Sequence, residues 1–346
     1  MGNTMQEHST NASPVEFGWD FQHNAGILIM LMNIDHARKV RIEGASEDIE
    51  VTLDNGKKIF AQAKSVVKYE DFRNVLANLE KSLGTLNAAW KKGNGEGLVY
   101  TTNSPNPFND RVSMMAFSNA PVCLTYDQLP TEKCREKIDK LYLRKKCAFP
   151  KEKLAVYVFG FHGDDEKSRY RNVEERVGAF LQRIGLRGKF YWGERALSRW
   201  QFMFGKNASK SDQHICISKE EMLWPLIVWV CDANKSDAWV EDFDDAAIEE
   251  TRRTYKSVID DVGENFRFVT KVLSSFDEYM TLAQNREGSQ RQNVERFISS
   301  KWMDFKDDFD LRQVDEDVVK LVVSLAVANV IRSRYEISRI RKEVNL

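Results

Sequence analysis

Between residues 47 and 53 polar and apolar positions alternate, with Asp48, Glu50 and Thr52 on one face and Ile49, Val51 and Leu53 on the other. Period two is the mark of a half-buried strand. Residues 58–64 repeat it: Lys58, Phe60, Gln62 and Lys64 share one face, and Ile59, Ala61 and Ala63 the opposite one. Asp54-Asn55-Gly56 lies between the runs as a turn signal, so a hairpin is predicted. Its register decides which side chains meet, because a slip of one residue sends every side chain to the other face. A two-residue turn at Asn55-Gly56 would set Asp48 opposite Ala63 and part the acids from Gln62 and Lys64. A three-residue loop with Gly56 left-handed pairs Leu53 with Lys57 and sets Asp48 opposite Gln62. It also joins Ile49, Val51, Ile59, Ala61 and Ala63 into one apolar face, so the apolar pattern selects this loop.

Helical spacing flanks the hairpin. Phe17 to about Arg38 is predicted as a buried helix with Gln22 in its opening turns. Tyr69–Lys92 is predicted as an amphipathic helix with a core stripe of Phe72, Val75, Leu76, Leu79, Leu83, Leu86 and Trp90. Gly97–Thr102 reads as a short strand entering a loop at Asn103. Then come a helix over Thr131–Lys146, a strand over Leu154–Phe161 and a helix over Asp165–Leu186. In Glu194–Phe204, Arg195, Arg199 and Trp200 suit base stacking or, more simply, a core. This order predicts an α/β domain, a mixed sheet flanked by helices. Residues 1–15 are expected to be a disordered tail and the small, polar 206–212 a linker. Residues 206–346 are expected to form an all-helical C-terminal domain for oligomerisation or partner docking. Its helices are Ser218–Cys231, Ala246–Ala283, Arg291–Phe305 and Asp315–Arg341.

With 346 residues, 42% of them hydrophobic, the chain can build a real core without staples. Five scattered cysteines without a C-x-x-C pair argue for a reducing compartment and against a zinc site. The polar N-terminus lacks the apolar centre of a signal peptide, and Gly26–Met32 is far shorter than the roughly 20 residues of a membrane span. A cytoplasmic location without a membrane partner is expected. A net charge of −1 gives no global attraction to DNA, so any nucleic-acid surface has to be local. Nine Lys or Arg residues lie between Lys133 and Lys153, with Arg144, Lys145 and Lys146 consecutive, forming either a DNA-binding patch or a solvated helix face.

The hairpin carries the candidate chemistry. Phosphodiester hydrolysis needs a hard cation in oxygen ligands, a water activated by it, and positive charge for the phosphate. Asp48 suits Mg²⁺, with the Gln62 carbonyl and the Ala63 backbone carbonyl as neutral ligands and Lys64 to orient water or phosphate. Glu43 and Glu50 are candidate auxiliary ligands or solvated strand residues. Gln22 can reach the same place from the first helix. Asn103 is either a phosphate contact or a turn residue. On its own Gln62-Ala63-Lys64 is weak, since a polar strand face reads the same way. Competing chemistries lack their signatures: there is no G-x-x-x-x-G-K-[ST], H-E-x-x-H or G-x-S-x-G, and the five histidines are dispersed.

The ordered set Phe17-Gly18-Trp19-Asp20-Phe21-Gln22, Ile42-Glu43-Gly44, Asp48-Ile49, Gln62-Ala63-Lys64 and Thr101-Thr102-Asn103 resembles the PD-(D/E)xK endonuclease domain of bacterial antiphage effectors. That domain occurs in Lamassu-type nuclease subunits and in SAVED-containing CBASS nucleases, and the likeness covers roughly residues 16–205. Gln62 stands where the general pattern has an acid, which is similar to the QxK variant of Mrr-like restriction enzymes. The resemblance implies a restriction-endonuclease-like sheet and Mg²⁺-dependent cleavage of double-stranded DNA, with Mn²⁺ able to substitute. It implies a homo-oligomer and, because no sensor is recognisable in the helical part, separate regulatory subunits such as an SMC-like ATPase. The alternatives are a CBASS-type nucleotide-activated nuclease and a non-catalytic DNA-binding or scaffold subunit that keeps the fold.

Overall fold

The computed structural model describes residues 13–118, 120–186, 191–233, 266–282, 285–309, 316–332 and 334–345. The chain divides into two compact units, 1–218 and 219–346. In the first, α1 (Ser13–Met32) leads into the meander β1 (Ala37–Ile42), β2 (Ile49–Leu53) and β3 (Lys58–Lys64). There follow α2 (Val75–Lys91), β4 (Gly95–Thr102), α3 (Arg111–Phe117), β5 (Val122–Thr125), α4 (Glu132–Arg144), β6 (Leu154–Val158), α5 (Glu166–Arg183), α6 (Tyr191–Ala208) and β7 (Ile217–Ser218). Among the described residues the strands make one seven-stranded sheet in the order β5-β6-β4-β3-β2-β1-β7. Its centre, β3-β4-β6, is parallel; the remaining pairings are antiparallel.

The hairpin takes the register that its apolar pattern selects. Val51 pairs with Ile59 and Thr52 with Lys58, and the Leu53 amide donates to Lys57 O at 2.8 Å. Gly56 is left-handed at φ 77°, a conformation that glycine adopts without the steric cost a Cβ would bring. Asp48 therefore falls opposite Gln62, in the row just beyond the paired Ile49 and Ala61.

The strands are not half-buried as their alternation predicts. Phe60, on the supposed outer face of β3, is buried in a core with Leu79, Leu83 and Leu86 of α2, Leu98 and Tyr100 of β4, and Ile138 of α4. The opposite face packs on α1, where Phe21 stacks on Phe159 with centroids 4.8 Å apart. Central parallel strands are covered on both faces because their crossover helices lie there. Gln62 therefore sits buried in a slot beneath α2, with Lys58 and Lys64 partly exposed at the two ends of the strand.

Local chemistry moves several boundaries. The helix predicted from Tyr69 starts at Val75, because the Asp71 carboxylate takes the Arg73 amide and guanidinium, at 3.2 and 2.9 Å, and holds a turn there. The helix predicted to Lys146 stops at Arg144, where Lys146 turns left-handed at φ 49°. Residues 206–212 are no linker. α6 runs to Ala208, the buried Arg41 side chain donates to the carbonyls of Lys210 (2.7 Å), Ile215 (3.2 Å) and Asn207, and β7 extends the sheet beside β1. The first unit thus ends at Ser218 and not at Gly205. Trp200 is fully buried against Phe180, the core alternative for that segment.

The second unit is helical among its described residues: α7 (Lys219–Ala233), α8 (Phe266–Thr281), α9 (Gln290–Lys301), α10 (Glu316–Arg332) and α11 (Arg334–Glu343). Ser289 caps α9 in a reciprocal box with Gln292, and Phe268, Phe276, Phe297 and Phe305 form its aromatic core. The segment predicted as one helix over Asp315–Arg341 carries α10 and α11 among its described residues, and most of the segment predicted as Ala246–Ala283 lies outside the described residues. Among the described residues no helix is long and apolar enough to cross a membrane.

Candidate active site

The turn from β1 to β2 builds one side of the site. The Glu43 amide donates to Asp48 O (2.8 Å) and the Gly44 amide to Glu47 O (3.0 Å), closing a loop over residues 44–47. Glu43 itself is left-handed at φ 54°. Glu50, expected as an auxiliary ligand, is occupied otherwise: its carboxylate accepts the Ser46 amide and the Lys58 ammonium, each at 2.7 Å. A Cβ on Gly44 would lie 2.5 Å from Glu50 Oε1, so only glycine lets the loop close over that carboxylate. From outside, Lys92 Nζ donates to Ala45 O (3.2 Å) and Ser46 Oγ (3.1 Å).

Asp48 is the hub. Its Oδ2 accepts the Ala63 amide at 2.9 Å, accepts the Gln62 side-chain amide, and lies 3.5 Å from Lys64 Nζ; Oδ1 is engaged by none of these. Lys64 Nζ also donates to Ala63 O at 3.0 Å. Gln22 Nε2 reaches from α1 to Glu43 Oε1 (2.7 Å) and Asp48 O (3.1 Å), so Gln22 and Glu43 position the loop that carries Asp48. The structure thus brings Asp48, Gln62, Ala63 and Lys64 together, with Gln22 and Glu43 behind them.

In one respect the geometry differs from expectation. The Gln62 carbonyl accepts the Thr85 hydroxyl of α2 at 2.6 Å, so the nitrogen end of the amide, not the oxygen end, faces Asp48. A neutral amide beside a carboxylate presents its donor. For Gln62 Oε1 to reach a cation at Asp48 the amide must turn over and release Thr85.

Sequence reasoning missed Glu47. Its side chain is 5% exposed, and neither carboxylate oxygen has a partner at hydrogen-bonding distance; the nearby Thr85 hydroxyl, which donates to Gln62, exerts only the smallest pull on it. Burial, and then the charge of Asp48, push its pKa up to about 8 against the pull of Lys64. Strict alternation assigns Glu47 to the face of Ile49 and Val51. An acid in an apolar slot was the available signal, and the loop over 44–47 is what breaks the alternation.

The proposed DNA contacts separate from this cluster. Arg144 and Lys145 pair with Glu80 of α2 at 3.1 and 3.5 Å, and Lys146 O accepts the Asn87 amide at 3.4 Å. Asn103 is buried and is no phosphate contact. It donates to Val66 O (2.8 Å) and Phe161 O (2.7 Å) and accepts the Val66 amide (2.7 Å), tying together the carboxyl ends of β3, β4 and β6. His162, whose pKa burial lowers, bonds Asn103 O at 2.8 Å. Asn103→Ala is expected to destabilise the first unit by about 2 kcal/mol, because the buried Phe161 carbonyl and two part-buried groups of Val66 lose their partner; urea unfolding measures it, and a loss below about 0.5 kcal/mol would remove this role.

Among the described residues no three His, Cys, Asp or Glu side chains cluster as a metal site. Mg²⁺ does not demand one: it keeps several waters and binds through one or two carboxylates. Protein-family models, curated proteins and solved structures return no match to this chain.

Proposed function

We propose that the first unit is a restriction-endonuclease-like nuclease domain of the PD-(D/E)xK type, and that the chain hydrolyses phosphodiester bonds in double-stranded DNA with Mg²⁺ or Mn²⁺. The observation that carries this reading is the convergence of Asp48, Gln62 and Lys64 on one slot, with Lys64 Nζ 3.5 Å from Asp48 Oδ2.

The donor set fits a hard cation, being all oxygen: Asp48 Oδ1, the Ala63 carbonyl, and the Gln62 carbonyl after its amide turns over. When bound, the cation supplies an activated water and charge to balance the phosphate. The chain's own residues do the rest. Lys64 places a positive charge beside the carboxylate, where it can hold a phosphate oxygen or orient the attacking water. Gln22 and Glu43 fix the backbone of Asp48, and Thr85 holds the Gln62 carbonyl until the amide turns over.

The role of an antiphage effector, controlled by a partner such as an SMC-like ATPase, belongs to the same proposal, with residues 219–346 as the docking unit. The first test is supercoiled plasmid incubated with the protein and Mg²⁺. Nicked and linear products that vanish in EDTA are expected. A protein that leaves plasmid intact with Mg²⁺ or Mn²⁺, both alone and with the partners that copurify with it, overturns the reading.

A further inference from the structure

Glu47 is the one carboxylate among the described residues with both oxygens buried and unpartnered. Burying an ionised carboxylate without a partner costs several kcal/mol, and buried acids are ordinarily paired, protonated or bound to a metal. A surface loop could relieve the cost by turning the side chain outward. This loop is prevented from doing so by the ladder bonds of Glu43 and Gly44, the Glu50 carboxylate on the Ser46 amide, and Lys92 on Ala45 and Ser46. The fold therefore maintains an acid inside, next in the chain to Asp48.

Charge says what that acid is for. Gln62 is neutral, and the ammonium of Lys64 offsets the single charge of Asp48, whose Oδ2 is already taken by the Ala63 amide and Gln62. A divalent ion entering here would meet about zero net charge from Asp48, Gln62 and Lys64 together, with one open carboxylate oxygen, the Glu43 carboxylate behind them being engaged by Gln22. Resting on the nuclease reading, we propose that Glu47 is a second carboxylate ligand of the divalent cation at Asp48. It supplies both the missing negative charge and two free oxygens. The unpartnered oxygens are then places reserved for the ion.

Binding of Mn²⁺ alone, followed by electron paramagnetic resonance on the full chain, tests this without any turnover. Glu47→Gln is nearly isosteric and is expected to weaken Mn²⁺ binding about tenfold or more, since ligand charge sets affinity at such sites. Glu47→Asp, which keeps the charge, should stay between Glu47→Gln and wild type, and Asp48→Asn should lose binding. In EDTA, Glu47→Gln should melt no lower than wild type. If Glu47→Gln binds Mn²⁺ as wild type does while Asp48→Asn does not, Glu47 is no ligand and the nuclease reading stands. A lower melting temperature for Glu47→Gln in EDTA would assign Glu47 a structural role and also end the proposal. No Mn²⁺ binding by wild type at millimolar concentration would sink both the proposal and the cation chemistry of the nuclease reading.

Discussion

Lys64→Ala and Asp48→Asn are each expected to cut Mg²⁺-dependent plasmid cleavage by about 10³-fold. The two variants remove different things. Asp48→Asn takes away the carboxylate at the hub, replacing an anion that accepts from the Ala63 amide and Gln62 by an amide that cannot hold a cation as well. Lys64→Ala leaves the oxygen donors in place and removes the positive charge 3.5 Å from Asp48 Oδ2. Lys64 is a quarter exposed, and its ammonium lies against Asp48 and donates to Ala63 O, so the variant should fold. Lys64→Arg should not restore the rate, because a planar guanidinium cannot reproduce a point charge directed at both Ala63 O and a phosphate. Since the groups act as a unit, the double variant should be little slower than either single one. The measurement is the initial rate of conversion of supercoiled plasmid, and cleavage that survives Lys64→Ala sinks the site assignment.

The reason this site could be located from the sequence lies in the hairpin. The apolar alternation selects one register, Gly56 can supply the left-handed residue that its three-residue loop needs, and a register fixes which residues share a face. Asp48 opposite Gln62, with Lys64 beside them, follows from that alone. What the sequence conceals is long-range. α2 covers the polar face of β3 through Phe60 and Thr85, and no local pattern in β3 distinguishes a solvated face from a slot beneath a helix. Asn103 looks like a turn asparagine because its three partners, on Val66 and Phe161, are 37 and 58 residues away. The polar segment 206–212 looks like a linker because the Arg41 guanidinium that satisfies its carbonyls comes from β1. Glu47 is hidden for another reason: period two holds only for regular strand, and residues 44–47 form a loop.

The buried acid also has a consequence for stability that needs neither DNA nor metal. In EDTA, wild type is expected to lose stability between pH 5 and pH 8 relative to Glu47→Gln. In the folded chain Glu47 keeps its proton up to about 8, mainly because burial penalises the anion, against a reference value of 4.5. Between these values the unfolded state binds fewer protons than the folded one, so the unfolding free energy falls as pH rises, by roughly 1.4 kcal/mol per unit at most. Below pH 4.5 both states are protonated and Glu47 costs nothing; above about 8 both are ionised and the full penalty is present. Across the window the difference is on the order of 4 kcal/mol. Glutamine stays neutral throughout, so the Glu47→Gln curve should lack this component while sharing every other titration. Urea midpoints by tryptophan fluorescence at pH 5.5 and 8 give the comparison. Equal pH dependence in the two proteins would show that Glu47 ionises freely in the fold, and wild type gaining stability relative to Glu47→Gln as pH rises would mean that its anion has a partner.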